Sequence, residues 1–193
     1  MKKFLKYLMK NYINVILLMF IALSAGVFAA EGPRGYDPKS NRPESGIPFT
    51  GHSVLCQILD YGTYVEDHNW GRLRDAELLY RAVTDRPETT GWVTMTMNYD
   101  QHLKSGNGTS WGESELVPDI GNGTFVEEEY SLKAKKFVWD VSGTMIGTGV
   151  YDGYKVDFFE TPAEIDDVPA DTCGASPVMG VSNFSGYIYA PEL

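Results

Sequence analysis

From Gly51 onward, apolar and polar residues exchange places at every second position in short runs, and Gly, Pro, Asn and Asp separate the runs. A period of two sends successive side chains to opposite faces of an extended strand. The clearest case is residues 91–99: Val93, Met95, Met97 and Tyr99 share one face, and Thr94, Thr96 and Asn98 the other. Residues 53–60 alternate through Val54, Cys56 and Ile58. Residues 137–145 put Phe137, Trp139 and Val141 together, and residues 154–161 do the same with Tyr154, Val156 and Phe158. Segments 109–117, 124–133 and 184–190 read as further strands. Residues 73–84 contain a helix-like Ala76-Glu77-Leu78-Leu79 stretch. Trp70-Gly71 before it and Asp85-Arg86-Pro87 after it decide for a strand. Residues 61–71 read as turn-rich, and 161–177 as a long acidic loop.

About eight strands spaced by roughly 10–15 residues predict an all-β domain, an antiparallel barrel or a sandwich. A barrel is preferred because closure hides the strand edges. The pattern stops at the N-terminal side of Gly51. Residues 30–50 are rich in Pro, Gly and charge and lack periodicity, so they read as a flexible leader. Before them, Lys2, Lys3, Lys6 and Lys10 precede an apolar run, and Ser24, Ala25, Gly26, Val27 and Ala29 supply small residues. This is the layout of a cleavable signal helix over 1–29, with cleavage after Ala29. The barrel domain is then 51–193, and export to the periplasm or the exterior is the expected fate. Cleavage would leave no membrane helix. Strand faces carrying Glu113, Glu115, Glu127, Glu128, Glu129 and Asp140 speak against an outer-membrane barrel.

Charge narrows the partners. The signal holds four of the 16 Lys and Arg and none of the 26 Asp and Glu, which leaves 12 against 26, a net of about −14. Such a chain is a poor match for nucleic acid or anionic membrane surfaces. The two cysteines, Cys56 and Cys173, form an even pair in an exported chain and read as a disulfide.

Candidate chemistry is sparse. His52, His68 and His102 fall in or beside turns without metal-ligand spacing, so no metal and no cofactor is predicted. No nucleophile elbow or phosphate loop occurs. Arg74 and Arg81 share one strand with Asp75 and Glu77; facing inward, either would need a carboxylate or an anionic ligand, and a cross-strand salt bridge is the plainer reading. Simple alternation through Glu127-Glu128-Glu129 sets the middle residue opposite the outer two, and Glu128 is taken as the candidate lining acid. Trp92, Tyr99, Trp111, Trp139 and Tyr154 lie on or beside strands and would fill or line a barrel interior.

Several segments recur in order: Trp70-Gly71-Arg72-Leu73-Arg74, Asp85-Arg86-Pro87 with Gly91, Gly108-Thr109-Ser110-Trp111-Gly112, residues 147–154, and Gly186-Tyr187-Ile188. Together they resemble exported bacterial β proteins of unassigned function. Gly147-Thr148-Gly149-Val150-Tyr151-Asp152-Gly153-Tyr154 also resembles the Gly-rich hairpin of allene oxide cyclase and dirigent-type barrels. That resemblance implies an eight-stranded barrel with an apolar cavity; the families' catalytic residues have no counterparts here. The expected function is non-catalytic binding of a small apolar ligand or a protein partner. The alternatives are a cavity enzyme of cyclase or isomerase type using Glu128 or Arg74, and a secreted inhibitor or host-interaction module acting through loops 61–71 and 161–177.

Overall fold

The computed structural model describes residues 46–191; the expected signal helix, and the leader up to residue 45, lie outside these. Nine strands follow in order: β1 (Ile47–Asp60), β2 (Thr63–Asp67), β3 (Trp70–Thr84), β4 (Gly91–His102), β5 (Gly108–Pro118), β6 (Phe125–Lys135), β7 (Val138–Gly147), β8 (Lys155–Pro162) and β9 (Gly180–Tyr189). Three single-turn 3-10 helices are the only helical structure among the described residues. β1 begins at Ile47, inside the stretch that composition assigns to the leader, because Ile47–Thr50 pair with β9 from Ile188 back to Ser185.

Eight strands close into an antiparallel barrel in the order β1-β9-β8-β7-β6-β5-β4-β3, and β3 pairs back onto β1. Closure leaves the eight without a free edge, and it decides the sequence's barrel-or-sandwich alternative for the barrel. β2 stands outside this ring. It takes over the flank of β3 at Trp70–Arg74, where β1 has already left it at Glu77. The turn-rich segment therefore holds a hairpin. His68 and Asn69 supply its two left-handed turn residues (φ 47° and 71°), as two-residue hairpins demand. His-Asn lacks the Asn-Gly signature, so the hairpin is not visible in the pattern. Lys136 and Phe137 do the same job between β6 and β7 (φ 53° and 67°), which moves Phe137 out of the strand read from the sequence and into a turn.

Inward side chains form layers. At one end Phe49, Ala82, Leu116, Phe125, Met145, Val156, Phe184 and Ile188 pack with Tyr151, and Phe49 and Phe125 are fully buried. Toward the other end Leu73, Ala76 and Tyr99 pack with Tyr64, Met97 and Trp139. The space between these two apolar plugs is the barrel's middle.

On the outside, Val54 and Cys56 of β1 are buried rather than exposed, because residues 163–179 lie across them with Val168 and Val178. The Cys56–Cys173 disulfide pins that cover, with Cα atoms 5.3 Å apart and the two residues 117 positions apart in the sequence. The Met179 amide also donates to the Leu55 carbonyl at 2.9 Å. The long acidic loop is thus strapped to the wall and does not project as a free arm.

Candidate functional site

Position along β6 decides what faces the middle of the barrel. Ser114 lies opposite Glu127 and Gly112 opposite Tyr130, so β6 spends three residues where β5 spends two. The additional residue is a β-bulge at Glu128-Glu129. A bulge resets the alternation of everything beyond it. Glu127 and Tyr130 both turn inward, and Glu128 and Glu129 stay exposed. The lining acid is Glu127, which corrects the alternation expected for this run.

The wall is also interrupted beside Glu127. β6 and β7 pair at Phe125-Val126 with Ile146-Gly147 and again at Lys133–Lys135 with Val138–Asp140, and no ladder joins them between. A carboxylate fills part of this seam. The Thr144 amide donates to Glu127 Oε1 and the Ser114 hydroxyl to Oε2, both at 3.3 Å. Gly143 makes the arrangement possible, since a Cβ there would collide with Glu127 Oε1 and the Phe158 ring.

Across the interior stands a second carboxylate. Glu160 on β8 accepts a 2.6 Å hydrogen bond from the Ser182 hydroxyl. Tyr130 donates its phenol to the Thr96 carbonyl at 3.0 Å. Tyr80 on β3 faces the same space, and its hydroxyl has no hydrogen bond to any described residue. Tyr80 and Glu160 are half-buried, and both line one interior cavity. That cavity measures about 60 Å³. Ala82, Val93, Met95, Leu132, Val141, Met145, Phe158 and Phe184 supply its apolar walls.

Burial governs the titration of these groups. It raises the Glu160 carboxyl above the ordinary glutamate range, against the opposing hydrogen bonds of Ser182 and Ser53. Burial also raises Glu127, with the Thr144 amide and Ser114 opposing. The Tyr130 phenol is pushed up to about 12, first by burial. Tyr80 is raised further by burial, with Glu160 and then Tyr130 adding repulsion. Removing a charge from water without a counter-charge is costly, so the neutral forms gain. No Lys, Arg or His lines the cavity. The described residues' ion pairs, including Arg74–Asp100, Arg81–Asp119 and Lys155–Asp157, lie outside it.

The residues singled out from the sequence are dispersed. Arg74 and Trp111 meet on the outer face, the guanidinium 4.8 Å from the ring centroid and 2.7 Å from Asp100. Arg81 bonds Asp119 through both terminal nitrogens and lies 5.3 Å from the Trp92 ring centroid. Both arginines make the plainer surface arrangement. Tyr99 and Trp139 belong to one apolar plug, and Tyr154 packs edge-on against Tyr151 at the other. Glu128 borders an open outer groove of about 520 Å³ with Trp111, Glu113 and Glu129. A neighbouring groove of about 460 Å³ holds Glu77, Glu113 and Glu115. Both are larger than the interior cavity but more open, and the convergence of polar groups among apolar walls is found inside. Sequence reading missed Tyr80 and Glu160 and took Glu128 from the run that also holds Glu127. Tyr80 and Glu160 carried a signal, since each keeps step with inward apolar neighbours, Leu78 and Ala82 on β3 and Phe158 on β8.

Among the described residues no group of three or more His, Cys, Asp or Glu is placed to hold a metal ion. No helix among them is long and apolar enough to cross a membrane. No protein-family model, curated protein or solved structure matches the chain.

Proposed function

We propose that this is an exported barrel that holds a small, mainly apolar molecule in its interior without transforming it. The observation that carries the reading is the interior cavity, with aliphatic and aromatic walls and a few polar groups converging from β3, β6 and β8. Binding sites for small molecules have this composition. Export is supported by the N-terminal pattern and by a disulfide that suits an oxidising compartment. Outward Glu113, Glu128, Glu129 and Asp140 support a water-facing wall, since charge on a lipid-facing strand is costly. The barrel also agrees with the architecture that the allene oxide cyclase and dirigent resemblance implies.

A second reading is favoured by one observation: two half-buried carboxyls with raised proton affinity face a single cavity. Acid–base isomerisation or cyclisation uses such groups, with Glu127 and Glu160 in place of Glu128 and Arg74.

Native mass spectrometry of protein purified from its own host tests both. A co-purifying small molecule that is released unchanged supports the binding reading. A molecule converted on incubation supports the second. A clean apo mass, together with failure to take up any small probe, overturns both.

A further inference from the structure

The interior is chemically one-sided. Every ionisable group facing it is an acid: Glu127 and Tyr130 on β6, Glu160 on β8 and Tyr80 on β3. The strands packed around them contribute no base. β1, β5, β7 and β9 present Ser53, Ser114, Ser142 and Phe184, and β4 presents Val93 and Met95. Two carboxyl groups therefore line one interior space without a single protein cation.

A second observation is independent of that pair. Tyr80 lines the cavity, is half-buried, and its hydroxyl has no hydrogen bond to any described residue. A hydroxyl set among apolar walls without a protein partner leaves a hydrogen bond open to whatever occupies the cavity. The rings of Phe158, Phe184, Tyr80 and Tyr130 line the same space. Aromatic faces and carboxylates both attract cations and both repel anions. Size sets the other limit. A volume of about 60 Å³ accommodates roughly four to six water-sized groups. Apolar plugs lie beyond the cavity along the barrel in both directions. The space suits a free small molecule better than a side chain reaching in from a partner.

We propose that the cavity binds a small alkylammonium ion, with its ammonium group at Glu127, Glu160 and Tyr80 and its alkyl part against Met95, Met145, Phe158 and Phe184. This rests on the reading that the interior holds a ligand, and it adds the charge and size of that ligand. Bringing in a cation favours ionised carboxylates, so binding releases protons and strengthens as pH rises through the raised carboxyl range.

The test uses three probes of equal length, n-butylammonium, 1-butanol and butyrate, titrated into the intact disulfide-bonded protein. Methionine methyl groups carry a 13C label, so that Met95 and Met145 report from inside. The expected result is saturable movement of both methyl signals, with n-butylammonium at least tenfold tighter than 1-butanol and butyrate without effect. Glu160→Gln weakens the amine at least tenfold and leaves 1-butanol unchanged, while Glu113→Gln on the outer face leaves the amine unchanged. If 1-butanol binds as tightly as the amine, the ligand class is wrong and the binding reading stands. If none of the three moves the two methyl signals, both readings fall. If the amine binds but leaves them unmoved, it has met only the acidic exterior and the proposal is overturned.

Discussion

Glu160 lines the barrel's interior cavity, and the Ser182 hydroxyl is the nearest compensation for its charge. Its folded-state proton affinity is raised by burial, and the sign of the consequence follows. The folded chain holds the proton to higher pH than the unfolded chain does, so stability falls as pH climbs from the ordinary glutamate range to the raised one. Below both values the penalty is absent. Glu160→Gln keeps the shape and the Ser182 contact and removes the titration. We expect the variant to gain about 1 kcal/mol at pH 8, or roughly 2–4 °C of Tm. The gain disappears at pH 4. Thermal unfolding of both proteins across this range checks it, and an equal gain at both ends would assign the effect to packing. Apolar neighbours at 78, 82 and 158 mark Tyr80 and Glu160 as inward-facing in the sequence. Nothing in the sequence marks Glu127 over Glu128, since three identical residues in a row carry no facing information of their own.

At the scale of elements, the β6–β7 seam is the weak line in the wall. The missing ladder between Val126 and Lys133 leaves main-chain groups of both strands without the cross-strand partners that β4 and β5 give each other along their whole length. Glu127 replaces one such partner through the Thr144 amide. Local opening is cheapest where main-chain hydrogen bonds are fewest. In hydrogen–deuterium exchange, peptides over 141–145 should exchange at least tenfold faster than those over 93–97. Equal protection would show that the seam is closed in solution. The bulge that turns Glu127 inward and the open seam that its carboxylate occupies are adjacent. Neither has a sequence signature, because a bulge without glycine is a property of two strands fitted together. The β2 hairpin escaped for a related reason: its turn is His68-Asn69 and its strand is short and mostly exposed.

Across the whole molecule, the Cys56–Cys173 bridge does two jobs. It joins the first strand to the loop before the last, and it holds a cover over the outward-facing Val54. In the chain-entropy model a loop of this length contributes about 4–5 kcal/mol. Replacing both cysteines with serine should lower unfolding stability by up to that amount, measured by denaturant titration. Adding a reductant should then affect the wild type and leave the variant unmoved. A loss below about 1 kcal/mol would mean that closure of β1 onto β3 and β9 already does the work. The acidic exterior is a separate property. It favours solubility and repels anions at a distance, while the interior acids act only on what is enclosed with them.

The sequence by itself determined the strand count of the barrel, the limits of most strands to within a few residues, and the cysteine pairing. These follow from local alternation, from turn residues and from there being only two cysteines. Tertiary structure decided which acids and aromatics face inward. Facing is counted across bulges and closure, and each bulge shifts the count by one, so a side chain's environment depends on its neighbouring strands as much as on its own. Arg74, Arg81, Trp92, Trp111 and Glu128 went to the outer face on that count, and Tyr80, Glu127, Tyr130 and Glu160 came together within.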